Sequence, residues 1–264
     1  MAQPIDCVIV GGGPAGLTAA IYLARYHLRV RVIDAGDSRA EWIPLSHNHA
    51  GYPDGVSGVD LVHAMRAQAA RYGAVVEPGF VQSLAHADGL FRAQTSLGSI
   101  AARSVLLATG TVNMGPPMSE EAHSEGLARG LIRYCPVCDG YEATDKRIAV
   151  LGAGDRGARE ALFLRSYSRE VTLIDPEGEP DLSNKRRAEL AAAAIRVIPG
   201  PVAAVMLDRG QVVIATAHGP LGFDTLYPAL GSHVRSELAV MLGVIVSEDH
   251  CILVDDHCRA GLAA

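Results

Sequence analysis

The chain has 264 residues, of which 49% are hydrophobic, and a formal net charge of -6 at pH 7. A chain of this length can bury one large core or two modest ones. Its acidic balance argues against binding to nucleic acid or to acidic membranes. The apolar run at 5–10 is too short for a signal peptide, and no stretch is long enough to span a bilayer, so a cytoplasmic protein is expected.

The first part of the chain is predicted to form a βαβ unit, then an amphipathic helix and a small β-meander. Its predicted elements are a strand at 5–10, a helix at 14–26, a strand at 29–34, a helix at about 58–72, meander strands near 74–77, 80–85, 90–94 and 99–102, and a buried strand at 105–108. The helix at 58–72 is predicted because its apolar residues recur on one face. That face consists of Leu61, Val62, Met65 and Ala69.

The breaker-rich stretch at 113–117 predicts a domain boundary, after which the βαβ pattern starts again. The later elements are predicted as a strand at 147–151, a helix at 155–166, a strand at 170–175, a helix at about 183–194 and a strand at 225–230. The repeat predicts an α/β fold with two Rossmann-like dinucleotide-binding domains, the second inserted into the first, and a small β-meander.

A glycine fingerprint occurs twice, and each landmark of the second copy follows its counterpart by 141 residues. The landmarks are Gly11, Gly13, Gly16 and Asp34 in the first copy, and Gly152, Gly154, Gly157 and Asp175 in the second. A strand that feeds a glycine-rich turn presents N–H groups at a helix N-terminus to a pyrophosphate, and the downstream carboxylate can bind a ribose hydroxyl. Two such copies predict two dinucleotide sites. The alternative is a duplicated α/β domain without ligands.

The residues after the second fingerprint favour NADH over NADPH. A 2′-phosphate on the adenosine ribose requires Arg or Lys at the end of the second strand, whereas a 2′-hydroxyl requires a carboxylate. Asp175, Glu177 and Glu179 would repel a phosphate dianion. The alternative is that the basic residues at 185–187 fold back toward the ribose.

Cys135 and Cys138 lie just ahead of the second fingerprint, where two intervening residues bring them within bridging distance. A cysteine at a helix start has a lowered pKa, and Asp139 can exchange the proton that thiol–disulfide exchange requires. The alternative is half of a zinc site, completed by 250–251 and 257–258. NAD(P)H, a flavin and a dithiol together predict an electron relay.

Taken together, these segments resemble the low-molecular-weight thioredoxin reductase family of flavoprotein disulfide oxidoreductases over almost all of the chain. The segments that carry the resemblance are 11–16, 48–58, 108–110, 135–140 and 152–157. The resemblance implies FAD on the first fingerprint and NAD(P)H on the second. The cofactor-binding residues expected on this basis are Gly11, Gly13, Pro14, Ala15, Gly16, Asp34, Asn48, Thr109, Gly110, Gly152, Gly154, Asp155, Gly157 and Asp175.

The resemblance also implies roles for the residues of the dithiol. Cys138 would face the isoalloxazine, Cys135 would attack the disulfide of the partner, and Asp139 would handle the proton. The partner would be a thioredoxin-like protein or a small disulfide, and the protein a homodimer. The FAD domain would comprise 1–112 and 236–264, and the NAD(P) domain 113–235 would rotate about hinges near 113–117 and 231–237.

Three features differ from the family pattern. A Gly-Gly-Gln segment is replaced by 37–44, and the basic cluster that reads NADPH is missing after Ile174. The sequence ends at 260–264, about where the closing strand of the family's FAD domain would begin, which predicts weakened FAD affinity or an apoprotein. Two alternative functions follow: a dithiol oxidase of the same fold that acts on small molecules, and a flavin-poor nucleotide-binding or redox-sensing remnant.

Overall fold

The computed structural model describes residues 3–261, which form two compact units. The first unit contains the described residues up to Trp42, the segment Ser57–Val112 and the residues from His233 onward. The second contains Ile43–Val56 and Asn113–Ser232. Of the C-terminal segment 260–264 discussed above, residues 262–264 lie outside the described residues. Within 3–261 no helix combines the length and the apolar character that a membrane span requires.

The first unit is built on one six-stranded sheet with helices packed against it. Its elements are β1 (Ile5–Val10), α1 (Pro14–Arg25), β2 (Val30–Asp34), a 3₁₀ turn (Arg39–Trp42), α2 (Gly58–Arg71), β3 (Val75–Pro78), β4 (Val81–Ala87), β5 (Leu90–Thr95) and β6 (Gly98–Leu107). The strand order is β3-β2-β1-β6-β5-β4. β3, β2, β1 and β6 run parallel, and β6, β5 and β4 form an antiparallel meander.

The apolar periodicity of the two helices explains how the first unit packs. Helix α1 buries Leu17, Ala20, Ile21 and Ala24, which recur at helical spacing. Helix α2 contributes Val62 and Ala69 to the same core, with Met65 packed against it, and the core also contains residues of β1 and β2. Ser57 starts α2 as an N-cap, accepting a hydrogen bond from the Asp60 N–H at 3.0 Å.

The second unit repeats the parallel arrangement and adds an antiparallel sheet. The elements that follow β6 in chain order are β7 (Thr111–Asn113), α3 (Glu120–Ala128), α4 (Pro136–Asp139), a 3₁₀ turn (Tyr141–Ala143), β8 (Ile148–Leu151), α5 (Gly154–Leu164), β9 (Val171–Ile174), α6 (Asn184–Ala192), β10 (Arg196–Ile198), β11 (Val202–Asp208), β12 (Gln211–Thr216), β13 (Gly219–Phe223), β14 (Thr225–Pro228), β15 (Ser232–Val234) and α7 (Glu237–Met241). The parallel sheet has the order β10-β9-β8-β14, and β11, β12 and β13 are antiparallel. β7 and β15 lie at the boundaries of the two units and pair with each other, and α7 belongs to the first unit.

The predicted fold class, α/β with two Rossmann-like units and a β-meander, is confirmed. The predicted strand at 5–10 has the observed bounds, and the observed α1, β2, α2, β8, α5, β9, α6 and β14 each match a predicted element. Three details of the prediction are wrong. The segment near 74–77 is a parallel strand beside β2, the segments at 99–102 and 105–108 are one strand, and the antiparallel sheet β11–β13 was not predicted.

The close contact between α1 and the turn after β1 requires glycine. A Cβ added at Gly16 would lie 2.0 Å from the carbonyl oxygen of Gly11 and 3.2 Å from Cγ2 of Ile9. The first of these distances is to backbone, which cannot rotate away. The helix therefore sits as near to the first strand as backbone contact allows, and its N-terminus faces the turn.

The substitution Gly16→Ala is expected to destabilise the first unit. Because the added methyl meets backbone, the helix must move away from β1, at a cost of roughly 1–3 kcal/mol in unfolding free energy. Equilibrium urea unfolding of the cofactor-free protein measures the change. Gly178→Ala is the matched control, since nothing lies within 4 Å of a Cβ at that position. Equal stabilities of the two variants would contradict the contact described for Gly16.

Candidate functional site

The first glycine turn lies between β1 and α1 and is tied to the end of β2. The N–H of Gly11 donates to the carbonyl of Ile33 at 2.9 Å. A Cβ at Gly11 would lie 2.2 Å from the carbonyl oxygen of Ala108. Gly13 is the N-cap of α1, Pro14 follows at the first helical position, and no side chain among the described residues caps this helix. Its free N–H groups are available to an anionic ligand.

Asp34 at the end of β2 reaches back to this turn. It is only 8% exposed, and its Oδ1 accepts hydrogen bonds from the N–H groups of Gly12 and Gly36, each at 3.2 Å. Arg66 of α2 donates from Nη2 to Oδ2. The carboxylate is thus fixed beside the glycine turn, with an arginine partner that the sequence does not predict.

The second glycine turn repeats the backbone contacts of the first. The N–H of Gly152 donates to the carbonyl of Ile174 at 3.0 Å, as Gly11 does to the end of β2. A Cβ at Gly157 would lie 2.6 Å from the carbonyl oxygen of Gly152. Gly154 is the first residue of α5 and has a φ of 56°. The duplicated fingerprint therefore folds into two similar turns, one in each unit.

Asp155 occupies the place in the second copy that Pro14 has in the first. Its carboxylate accepts hydrogen bonds from the N–H and the hydroxyl of Ser183, at 3.1 Å and 3.0 Å, and Arg186 lies 3.9 Å away. The backbone hydrogen bond from Ser183 lowers the pKa of Asp155. An ionised carboxylate therefore stands in the first turn of α5, held by the N-cap residue of α6.

Asp175 follows β9, as Asp34 ends β2, but its hydrogen bonds differ. It is 4% exposed, and its Oδ1 accepts from the N–H groups of Glu177 at 3.0 Å and of Gly178 at 3.2 Å. Asp34 bonds back to its glycine turn, whereas Asp175 closes the loop that follows its own strand. Because both bonds go to Oδ1, Oδ2 remains able to accept from a ligand.

Two predicted residues at the end of the first unit's sheet make contacts within that unit. The hydroxyl of Thr109 donates to the carbonyl of Arg235 at 2.6 Å. The carbonyl of Gly110 accepts from the N–H of Arg235 at 3.2 Å. Ala15, also predicted to bind cofactor, is exposed in the first turn of α1.

Asn48 lies in the segment 43–56, which clusters with the second unit. Its side-chain oxygen accepts from the hydroxyl of Ser46 at 2.6 Å. The neighbouring His47 bonds through Nδ1 to Oε1 of Glu142 at 2.9 Å. This segment is thereby tied to the residues that follow the dithiol.

Cys135 and Cys138 form a disulfide, with their Cα atoms 5.2 Å apart. Cys135 is the N-cap of the short helix α4, as the sequence predicts for a cysteine at a helix start. Its carbonyl accepts from the N–H of Cys138 at 2.8 Å and of Asp139 at 3.1 Å. These bonds fold the four residues into one turn, which places the carboxyl-bearing residue directly after the second sulfur.

Two side chains hold the carboxylate of Asp139. The Tyr227 hydroxyl donates to Oδ1 at 2.9 Å, and Nη1 of Arg133 lies 3.1 Å from Oδ2. Tyr227 belongs to β14, and the N–H of Arg133 donates to the carbonyl of Leu226 on the same strand. The parallel sheet thus positions both partners beneath the dithiol turn.

Burial raises the pKa of Asp139, and the Arg133 charge and the Tyr227 hydrogen bond act in the opposite direction. Burial also raises the pKa of Tyr227, which therefore stays a neutral hydrogen-bond donor. A carboxyl group in this environment exchanges its proton at higher pH than an exposed aspartate. The arrangement can supply or remove protons beside the two sulfurs.

Sequence reasoning missed Arg133, Tyr227 and Arg66. Tyr227 offers one weak signal, because a tyrosine inside an apolar strand must find a hydrogen-bond partner when it is buried. The two arginines give no such signal. Among residues 3–261, no group of three or more His, Cys, Asp or Glu side chains is placed to hold a metal ion. Cys251 and Cys258, the cysteines of the zinc alternative, are exposed.

Comparison with known proteins identifies relatives of the chain. NADPH-dependent thioredoxin reductase 3 of Arabidopsis thaliana is 38% identical over 179 residues, which cover 64% of this chain and 33% of that protein. Thioredoxin reductase of Treponema pallidum (strain Nichols) is 37% identical over 178 residues, which cover 66% of this chain and 56% of that protein. The crystal structure of thioredoxin reductase from Streptococcus pyogenes MGAS5005 has a TM-score of 0.87 and 25% identity, covering 98% of this chain and 86% of that one.

The chain spans a third to just over half of the length of these two curated relatives. The model of the pyridine nucleotide-disulphide oxidoreductase family matches residues 5–263. That match includes both glycine turns and the dithiol, and the chain therefore belongs to the pyridine nucleotide-disulphide oxidoreductase family.

Proposed function

We propose that the chain is an FAD-dependent disulfide oxidoreductase of the thioredoxin reductase type. Electrons would pass from NAD(P)H through the flavin to Cys135 and Cys138, and on to a thioredoxin-like protein disulfide. The observation that carries the proposal is the Cys135–Cys138 disulfide, followed directly by a half-buried carboxyl group in the unit that contains the second glycine turn. The names of the curated relatives support the same activity.

The first unit suits FAD. Gly11 and Gly16 allow the turn and α1 to pack against the protein backbone, where a Cβ would clash, and Gly13 has no side chain where a pyrophosphate would approach the turn. The uncapped N-terminus of α1 suits the pyrophosphate, and Asp34 beside it suits the ribose. When bound, FAD would supply a two-electron carrier between the hydride donor and the disulfide.

The chain's own residues account for the sulfur chemistry. Reduction of the disulfide takes two electrons and two protons and yields two thiols. The thiolate of Cys135 then attacks one sulfur of the partner disulfide, and the other partner sulfur leaves and takes a proton. The thiolate of Cys138 attacks Cys135, which restores the disulfide and releases the partner as a dithiol. Asp139 exchanges the protons that these steps require.

The second unit suits NADH better than NADPH. Asp175, Glu177 and Glu179 lie at the end of β9, where the adenosine ribose is expected to bind, and Glu177 and Glu179 are exposed. The basic residues at 185–187 are engaged locally. Arg187 donates to the Pro180 carbonyl at 2.7 Å, and Arg186 and Lys185 lie 2.5 Å and 4.0 Å from Glu189. We infer that none of the basic side chains at 185–187 is placed to read the phosphate.

The remaining parts of the proposal rest on the resemblance. They are the thioredoxin-like or small disulfide partner, the homodimer, and the rotation of an NAD(P) domain 113–235 against an FAD domain 1–112 plus 236–264. The cytoplasmic location stays a prediction from the sequence. The full set of residues that the sequence predicts to bind FAD and NAD(P)H also stays a prediction.

Substitution of the attacking cysteine tests the function. The FAD-loaded chain is expected to oxidise NADH with a generic aromatic disulfide or with a bacterial thioredoxin, and Cys135→Ser is expected to slow this turnover at least about 100-fold. The reason is that the serine can neither form the disulfide nor attack the partner. Cys251→Ser, which changes an exposed free cysteine, is the matched control and should retain full turnover.

Unchanged turnover in Cys135→Ser would refute the dithiol relay. A purified chain that binds no FAD, judged by visible absorbance after reconstitution, would favour the flavin-poor alternative. Oxygen uptake with a small dithiol and no oxidation of NADH or NADPH would identify a dithiol oxidase.

Removal of the Tyr227 hydroxyl is expected to move the pH dependence of turnover. The hydrogen bond from Tyr227 lowers the pKa of Asp139, so Tyr227→Phe should raise that pKa and shift the corresponding limb of the kcat/KM profile to higher pH. Asp139→Asn should abolish the limb and lower kcat/KM by at least about 100-fold. Tyr22→Phe, at an exposed tyrosine, should leave the profile where it is. A Tyr227→Phe limb that stays in place or moves to lower pH would contradict this assignment.

The choice of nicotinamide cofactor is measurable by steady-state kinetics. We expect kcat/KM to be at least about tenfold higher with NADH than with NADPH, because a dianionic phosphate is repelled by the carboxylates of the loop. Glu177→Gln together with Glu179→Gln should reduce that preference by raising the NADPH value. A preference of the wild type for NADPH would overturn the prediction.

A further inference from the structure

The ion pair between Asp34 and Arg66 in the first unit contains one hydrogen bond, although an arginine and a carboxylate can form two. Nη2 of Arg66 donates to Oδ2 of Asp34, but Nε of Arg66 is buried and has no hydrogen-bond partner among the described residues. The Nε and Nη2 groups of an arginine point along one edge and commonly bind a carboxylate through two parallel hydrogen bonds. Here the second bond is missing.

The missing bond has a structural cause. Oδ1 of Asp34 already accepts from the N–H groups of Gly12 and Gly36, which turns that oxygen toward the glycine turn. A Cβ at Gly12 would lie 2.3 Å from Cγ of Asp34, so the carboxylate rests directly on the turn backbone. Asp34 therefore cannot offer both oxygens to the arginine, and Nε is left without an acceptor.

The chemistry of the ligand follows from these two neighbouring groups. Nε of Arg66 needs an acceptor, and Oδ2 of Asp34 can still accept another hydrogen bond. A single hydroxyl group satisfies both, because its oxygen accepts from Nε while its O–H donates to Oδ2. A phosphate would accept from Nε but would bring its negative charge against the Asp34 carboxylate.

We propose that Arg66 is a ribose-binding residue of the first nucleotide site, with Nε donating to the same adenosine-ribose hydroxyl that donates to Asp34. This inference rests on the proposed binding of FAD to the first unit. The Arg66 side chain is 39% exposed as a whole, whereas Nε itself is covered, so a small movement of this side chain must accompany binding of the ligand. Recognition by a donor and an acceptor together selects a sugar hydroxyl and excludes a phosphorylated one.

Competition with FAD tests the inference, with flavin fluorescence as the readout so that only the flavin site is counted. ADP, 2′-deoxy-ADP and 3′-deoxy-ADP are the competitors. We expect one deoxy analogue to bind the wild type at least about tenfold more weakly than ADP, since it leaves the Arg66 and Asp34 groups unpaired. In Arg66→Lys this difference should shrink to about twofold or less, because lysine keeps the charge beside Asp34 but has no planar Nε donor.

Arg71→Lys is the matched control, an exposed arginine on the last turn of the same helix, and should retain the full discrimination. Arg66→Lys should also weaken FAD itself. If it weakens ADP and both deoxy analogues by the same factor, Arg66 merely stabilises the site and the inference is overturned. The wild type alone provides a second test that does not depend on folding of the variant, because equal binding of all three competitors also overturns the inference.

The two proposals fail in different ways. A wild type that binds FAD but does not discriminate between the competitors overturns the role of Arg66 and leaves the proposed function intact. A wild type that binds no FAD overturns both.

Discussion

Backbone contact between the start of a helix and the turn that precedes it is the constraint on which both units depend. In each unit a helix begins directly after a buried parallel strand, and the third glycine of the turn meets a backbone carbonyl where any other side chain would clash, at Gly16 and at Gly157. This contact fixes the start of the helix against the turn, so that its first N–H groups lie at the end of the preceding strand. The anion binding that we propose for both turns would depend on that geometry and not on a charged side chain.

The dithiol depends on the same framework in a different way. The turn from Cys135 to Asp139 is too short to bury itself, so its chemistry is set by the sheet below it. Strand β14 brings Tyr227 and, through a backbone hydrogen bond, Arg133 to the carboxylate. Burial raises the pKa of Asp139 while these two partners restrain the rise. The pKa of this carboxyl group therefore depends on the balance between its burial and its two partners.

The sequence predicts those features that local pattern determines. The strand at 5–10, the helix that starts at Pro14 and the Cys135–Cys138 bridge all depend on neighbouring residues or fixed spacing. The continuous strand β6 was divided in two because its environment changes along its length. Residues 98–102 pair with β5 in an antiparallel ladder, and residues 102–107 pair with β1 in a parallel one. The burial pattern changes at that point, although the backbone does not break.

Contacts between side chains that are distant in sequence cannot be predicted from the sequence for a related reason. Arg133 and Tyr227 are separated in sequence by most of the second unit. Arg66, in helix α2, is 32 residues away from Asp34, at the end of β2. No spacing rule connects such pairs, because they meet through sheet and helix packing. The same limit applies to the antiparallel strands β11–β13, whose inward residues Val205, Val212 and Ile214 belong to a core formed with the parallel sheet.

The two acidic residues of the repeat show that equivalent positions in sequence can have different hydrogen-bond partners. Asp34 and Asp175 stand at matching positions, and both are buried, yet they use their carboxylates differently. Asp34 bonds to its glycine turn and to an arginine, whereas Asp175 bonds to the loop after its own strand. The difference comes from what surrounds each residue: a helix that carries Arg66 in one unit, and an acidic loop in the other. A paired carboxylate beside a free donor favours a hydroxyl ligand at the first site, while the uncompensated acidic loop at the second site disfavours a phosphate. The repeat therefore preserves the glycine turn that we propose as a dinucleotide site, and residues outside the repeat would decide which dinucleotide each turn selects.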